Sequence, residues 1–157
     1  MRIITTEKKT IAETTSQQQP ELVLLFDGLC GFCDKSVQHI FKYDKKGTMM
    51  FAPLQSDFAK SVLERHPRFK SVDSMMVVER HGDNETAYVQ SAAALRIATY
   101  LGGIHSLLNV GRILPAKVRD LFYKVIASNR YRLFGKKAAC PIPTKEQRAR
   151  YLAMPEG

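Results

Sequence analysis

The chain has 157 residues, 45% of them hydrophobic and 25% charged, which fits one ordinary globular domain with room for an appendage. No apolar run approaches the length of a membrane span, and the polar stretch 1–20 lacks the apolar centre of a secretory leader. Three cysteines, an odd number, argue against a secreted disulfide scaffold and for a cytoplasmic protein.

The net charge of +9 is unevenly placed. Residues 1–103 hold 13 Lys or Arg against 12 Asp or Glu, and residues 104–157 hold 11 against 3. The last third is therefore the basic part. A solvated helical face is the plain reading; an acidic partner, nucleic acid or a membrane surface is the functional one.

Residues 1–20 are polar and read as a disordered tail ending at Pro20. The apolar run Leu22–Phe26 reads as a buried strand. After it, Cys33, Val37, Ile40 and Phe41 recur at i, i+4, i+7 and i+8, which predicts a helix over 31–44. Lys45, Lys46 and Gly47 close that helix, and Met49–Ala52 is a second short strand. Strand, helix and strand make a βαβ unit with parallel strands. Ser56 can cap a second helix over 57–65. Met75–Glu79 and Thr86–Val89, joined by the turn His81-Gly82-Asp83-Asn84, form a hairpin, and Ser91 can cap a helix ending at Gly102.

Beyond Gly103, residues 104–110 suggest a short apolar helix. Pro115 can start a longer one, in which Val118, Leu121, Phe122, Val125 and Ile126 form an apolar stripe suited to packing on the domain. Residues 129–134 mix basic and aromatic side chains, an arrangement that can bind RNA but more often marks a second packing stripe, so nucleic acid is not the favoured partner. Thr144 and Gln147 have the spacing of a capping box. The expected organisation is a tail over 1–20, an α/β domain over 21–103 and a basic helical extension over 104–157 packed on it.

The chemistry concentrates at Cys30-Gly31-Phe32-Cys33, where the first strand ends and the first helix begins. A helix N-terminus offers free N–H groups and a partial positive charge, and both stabilise a thiolate. Two intervening residues let the sulfurs reach disulfide distance across one turn. Gly31 lets another backbone approach closely. Cys30, expected to be the more accessible, is the candidate nucleophile, and Cys33 the resolving thiol. Asp27 lies three residues before Cys30. Buried near Cys33, its carboxyl would have a raised pKa and could take that thiol's proton; as a turn residue before Gly28 it would bond neighbouring N–H groups instead. The two roles are compatible. A CxxC alone is half of a structural zinc site, and the chain offers no second pair, so neither metal nor organic cofactor is expected. Cys140 reads as a structural thiol or as a third redox group.

A CxxC beside a βαβ pattern resembles the thioredoxin-like fold over about 21–103. Two positions depart from thioredoxin: Leu29 stands where a Trp precedes the first cysteine, and Val72-Asp73-Ser74 where a proline faces the disulfide. Phe26-Asp27-Gly28-Leu29-Cys30-Gly31-Phe32-Cys33 is similar to the signature of the DCC family of thiol-disulfide oxidoreductases, with Asp27, Cys30 and Cys33 at the three named positions. The resemblance continues in Leu54-Gln55-Ser56, Asp73-Ser74-Met75, the run from Ser91 to Leu95, the run from Asn129 to Gly135, and Cys140. It implies thiol-disulfide exchange with a disulfide-containing protein or a low-molecular-weight thiol, and an upstream thiol reductant. The alternative is a non-catalytic interaction module that docks a partner through the basic segment.

Overall fold

The computed structural model describes residues 21–71, 75–136 and 142–154. The expected tail, the Val72–Ser74 position and Cys140 lie outside these residues.

Four strands form one mixed sheet: β1 (Leu22–Phe26), β2 (Met50–Pro53), β3 (Met76–His81) and β4 (Asn84–Val89). Their order is β2-β1-β3-β4. β1 runs parallel to β2 and antiparallel to β3, with Leu24 opposite Phe51 on one side and Val77 on the other. β3 and β4 pair as the expected hairpin, and Gly82 at φ +59° supplies its turn. β1 is buried along its whole length because it is central and covered on both faces, which is why it reads as an unbroken apolar run rather than an alternating one.

Helices α1 (Gly31–Tyr43), α2 (Asp57–Arg65) and α3 (Gln90–Leu101) cover the sheet. Two apolar cores result. Leu24, Phe26, Phe51 and Val77 pack on one face with Cys33, Val37 and Ile40 of α1 and with Ala93 and Ile97 of α3. Val23, Leu25, Met76 and Val78 pack on the other with Ala59 and Val62 of α2. The element order and sheet topology are those of the thioredoxin-like fold.

Ser56 caps α2 as expected, accepting the Ala59 N–H at 3.2 Å. Ser91 does not cap α3. Val89 holds that position, and the Ser91 hydroxyl instead donates to the Asp120 carboxylate. Tyr100 of α3 reaches across the core edge. Its hydroxyl accepts the N–H groups of Thr48 and Met49 and donates to Asp44, tying the start of β2 to the end of α1.

After α3 the chain forms a 3₁₀ segment (Gly103–Ile113), then α4 (Ala116–Phe134) and α5 (Lys145–Arg148), the last opened by the Thr144/Gln147 capping box. Residues 150–152 return along β2: the Phe51 N–H donates to the Arg150 carbonyl and the Leu152 N–H to the Phe51 carbonyl, each at 2.8 Å. The outer edge of β2 is thereby occupied by the chain's own backbone.

α4 sits opposite to its hydrophobic pattern. Leu121, Phe122, Val125 and Ile126, read from the sequence as a packing stripe, are 48–64% exposed. The side turned toward the domain carries Asp120, Tyr123, Ala127 and Arg130. Polar anchors set this orientation: Asp120 is bonded to Ser91, and Tyr131 and Arg130 to Asp27.

At the far end of the hairpin, Glu85 accepts hydrogen bonds from Arg65, Arg80 and His66, joining β4 to the end of α2. Burial alone would raise its carboxyl, but these donors outweigh burial and hold it down at about 2, against an ordinary 4.5. Between those values the unfolded chain binds the extra proton. The stabilisation is therefore complete above the unfolded value and is lost as pH falls toward 2. Glu85→Gln should cost about 1–3 kcal/mol near neutral pH, a discount on the full shift because Arg65 is half-exposed. Thermal melts across an acid series should show the gap between wild type and variant closing as pH falls.

Candidate active site

The site lies at the C-terminal end of β1. Asp27 ends the strand, the turn Gly28-Leu29 follows, and the Cys30 N–H donates to the Asp27 carbonyl at 3.3 Å. Cys30 occupies the N-cap of α1 with extended backbone (φ −92°, ψ 117°), and its carbonyl accepts the first helical bond, from Asp34, at 3.0 Å. Cys33 lies one turn further in. Both cysteines are free, and the two thiols hydrogen-bond each other. Burial pushes the Cys33 thiol up to about 12, and the neighbouring Cys30 adds to this; a bond from the Asp27 backbone and the Arg130 charge act in the opposite sense. Cys33 is therefore a protonated thiol at neutral pH.

The Asp27 carboxylate is buried and surrounded by donors. Oδ1 accepts the Leu29 N–H at 3.0 Å and the Gln55 amide at 3.4 Å, and Oδ2 accepts the Tyr131 hydroxyl at 2.6 Å. The Arg130 guanidinium stands 3.7 Å from Oδ2. The bond from Leu29 is the turn role read from the sequence. The bonds from Gln55 and Tyr131 are long-range, and they make Asp27 the meeting point of β1, the loop after β2 and the end of α4.

Arg130 is 3% exposed. Its Nη2 donates to the Tyr131 hydroxyl at 3.1 Å, and its guanidinium lies 4.8 Å from the centre of the Tyr131 ring. Burial works against its charge, but the fields of Tyr131, Cys30 and Cys33 prevail and raise its pKa above the ordinary value. Arg130 is thus a fixed cation serving both the dithiol and Asp27. The bond to Asp27, helped by burial, raises the Tyr131 phenol, so its proton stays on oxygen. In the sequence Tyr131 reads as a packing residue and Arg130 carries no local mark of the site; the structure brings both to Asp27. The available signal was their position in the 129–135 run that resembles the DCC family.

Cys30 departs from expectation in one respect. It is 0% exposed, not the accessible thiol of the pair, and Cys33 is 1% exposed. The cover is the end of α4. The Gly31 N–H donates to the Gly135 carbonyl at 3.3 Å, and Cys30 pairs with Lys136 as an antiparallel bridge. Gly31 permits this: a Cβ there would stand 2.4 Å from the Phe134 carbonyl oxygen. The close approach expected at Gly31 is made by the chain's own backbone.

Two hollows flank the dithiol. A cleft of about 430 Å³ opens beside Gly28, Leu29 and Gln55. An apolar groove of about 370 Å³ runs between α1 and α3 past Phe32, Ile40, Ile97 and Phe134. Among the described residues, no three His, Cys, Asp or Glu side chains converge as metal ligands.

Gly31→Ala should push the Phe134–Lys136 backbone away from Cys30. An overpacking cost of about 1–3 kcal/mol corresponds to a melting temperature lower by roughly 3–10 °C. Iodoacetamide should modify Cys30 faster in this variant than in wild type. A variant as stable and as slowly alkylated as wild type would show that the end of α4 is not the cover.

Residues 24–136 match the family described as DCC1-like thiol-disulfide oxidoreductase. The chain is 38% identical over 142 residues to the uncharacterized protein YuxK of Bacillus subtilis (strain 168), covering 88% of this chain and 98% of that protein. It is 31% identical over 136 residues to DCC family protein At1g52590, chloroplastic, of Arabidopsis thaliana, covering 84% and 77%. No solved structure matches the chain. The paired thiols at the head of α1 lie inside the matched region, and the chain belongs to the DCC1-like thiol-disulfide oxidoreductase family.

Proposed function

We propose that the protein exchanges disulfides with a disulfide-containing protein or a low-molecular-weight thiol, through Cys30 as nucleophile and Cys33 as resolving thiol. The observation that carries this reading is the asymmetry of the pair. Cys33 is held as a thiol by its burial one turn inside α1, whereas Cys30 stands outside that turn, at the N-cap of α1.

The Cys30 thiolate attacks one sulfur of the substrate disulfide. That bond breaks, a mixed disulfide forms, and the departing substrate sulfur leaves as a thiolate that takes a proton from water. Cys33 then gives its proton to the Asp27 carboxylate and attacks Cys30 Sγ. The mixed disulfide breaks, the second substrate thiolate is released, and Asp27 returns the proton to it. Two electrons have passed to the substrate, and Cys30–Cys33 is the oxidised form. An upstream dithiol reverses these steps and restores the enzyme. Arg130 compensates the negative charge that moves between the two sulfurs, and Tyr131 and Gln55 hold the carboxylate in place. The sparing use of cysteine fits a reducing compartment, and we place the protein in the cytoplasm.

The second reading is a non-catalytic module, and the observation in its favour is the complete burial of Cys30. Trapping separates the two. Cys33→Ser should accumulate mixed disulfides with thiol proteins, visible on non-reducing gels, while Cys30→Ser should form none. Equal trapping by both variants, or none by either, supports the module.

Asp27→Asn keeps the shape but cannot take a proton, and it keeps only one of the two oxygens that accept from Leu29, Gln55 and Tyr131. Resolution of the mixed disulfide should slow by roughly 10²–10⁴-fold, as a phase separate from the first attack by Cys30. Rapid-mixing reduction of a model disulfide measures both phases, and an unslowed second phase removes Asp27 from the proton path.

A further inference from the structure

The surface from Ile104 to Lys136 combines two properties that seldom occur together. In the 3₁₀ segment, Ile104, Leu107, Val110 and Ile113 recur every third residue, the repeat that aligns side chains on one face of such a helix. They are 62–83% exposed. α4 adds the outward stripe of Leu121, Phe122, Val125 and Ile126. Soluble proteins rarely expose this many large apolar side chains on neighbouring elements without using them. The orientation is also set by specific bonds, because Ser91–Asp120 and Asp27–Tyr131 hold the polar side of α4 inward.

Charge is the second property. Residues 104–136 hold seven Lys or Arg and one acidic residue, Asp120. Asp120 is partly buried and engaged by Ser91. Arg112, Lys117, Lys124, Arg132 and Lys136 are exposed, and the segment presents no exposed carboxylate.

We propose that this surface docks on an anionic lipid bilayer, with the aliphatic and aromatic side chains entering the interface and the cations meeting lipid headgroups. An apolar helical face bordered by Lys and Arg has the composition of an interfacial amphipathic element, and basic residues are drawn to anionic leaflets. Charge complementarity selects this occupant. A two-fold contact between copies places each patch against itself, so Arg112, Lys117 and Lys124 would face cations with no carboxylate from the segment to meet them. Nucleic acid would satisfy the cations and leave the Ile104–Ile113 row without a partner. The attachment is peripheral: no helix among the described residues is long and apolar enough to cross a membrane. The proposal does not depend on the dithiol chemistry.

The test is co-sedimentation of the full chain with phosphatidylcholine vesicles, with and without about 30% phosphatidylglycerol, alongside sedimentation velocity of the protein alone. Binding should require the anionic lipid and weaken at least about 10-fold in high salt. Ile113→Asp with Phe122→Asp, and separately Lys117→Glu with Lys124→Glu, should each reduce binding at least about 10-fold. These side chains are exposed, and unchanged melting temperatures would confirm that the fold is kept. Protein remaining in the supernatant overturns the proposal. So does binding that the Ile113/Phe122 variant retains, which would reflect overall charge alone. A lipid-independent dimer dissolved by that variant would assign the face to a second copy and overturn the proposal as well.

Discussion

The site depends on one buried carboxylate. A charged or polar group taken from water must recover its hydrogen bonds inside the protein, and Asp27 recovers them from Leu29, Gln55 and Tyr131, with Arg130 beside it. These partners come from three separate parts of the chain. Satisfying one side chain therefore brings the end of α4 back to the start of α1, although more than a hundred residues separate Asp27 from Tyr131. Once α4 is held there, its terminal backbone meets Gly31 and Cys30, and the end of α4 becomes part of the candidate site.

The same constraint explains the unusual face of α4. A helix docked by apolar packing turns its hydrophobic stripe inward. α4 is docked instead by Asp120, Arg130 and Tyr131, which fall on one side at near-helical spacing, and the stripe of Leu121, Phe122, Val125 and Ile126 is left outward. Buried polar pairs contribute little net stability, but they fix geometry. Orientation is what a site needs when it must hold a guanidinium beside two thiols.

This conflict marks the limit of what the sequence made legible. The β-α-β-α-β-β-α order, the Ser56 cap, the 144–147 capping box and the place of the CxxC at a strand-to-helix junction all follow from local pattern, where periodicity and turn chemistry agree with the fold. The face of α4 was misread because periodicity reports which residues share a side, not which side meets the domain. Arg130 and Tyr131 were invisible as site residues for a related reason: their partner is remote, and no local rule links Asp27 to them. The resemblance pointed further than the periodicity did. Leu54-Gln55-Ser56 and the 129–135 run are the two segments that supply Asp27 with its long-range donors. Cys30 was expected to be accessible because an N-cap usually faces solvent, and the backbone of Gly135 and Lys136 is what occupies that space.

In the proposed exchange, burial of both sulfurs changes what would decide which thiol attacks. In an open site, access selects the nucleophile. Here Cys30 and Cys33 are equally covered, so exposure in the closed state cannot select either. What differs is position. Cys33, a turn inside α1 among Val37, Ile40 and the β1 side chains, has lost solvation on every side, and its thiolate is strongly disfavoured. Cys30 borders the helix terminus, and its cover is a strap of backbone lying outside the packed core. Among the described residues the strap meets Cys30 through the antiparallel bridge to Lys136, with its 3.3 Å bond from the Gly31 N–H to the Gly135 carbonyl, whereas exposing Cys33 would require opening the α1–sheet interface. In the proposed exchange, the order of the two thiols follows from what each would have to displace to meet a substrate. The glycine between them matters because it lets the strap lie close enough to keep the dithiol dry.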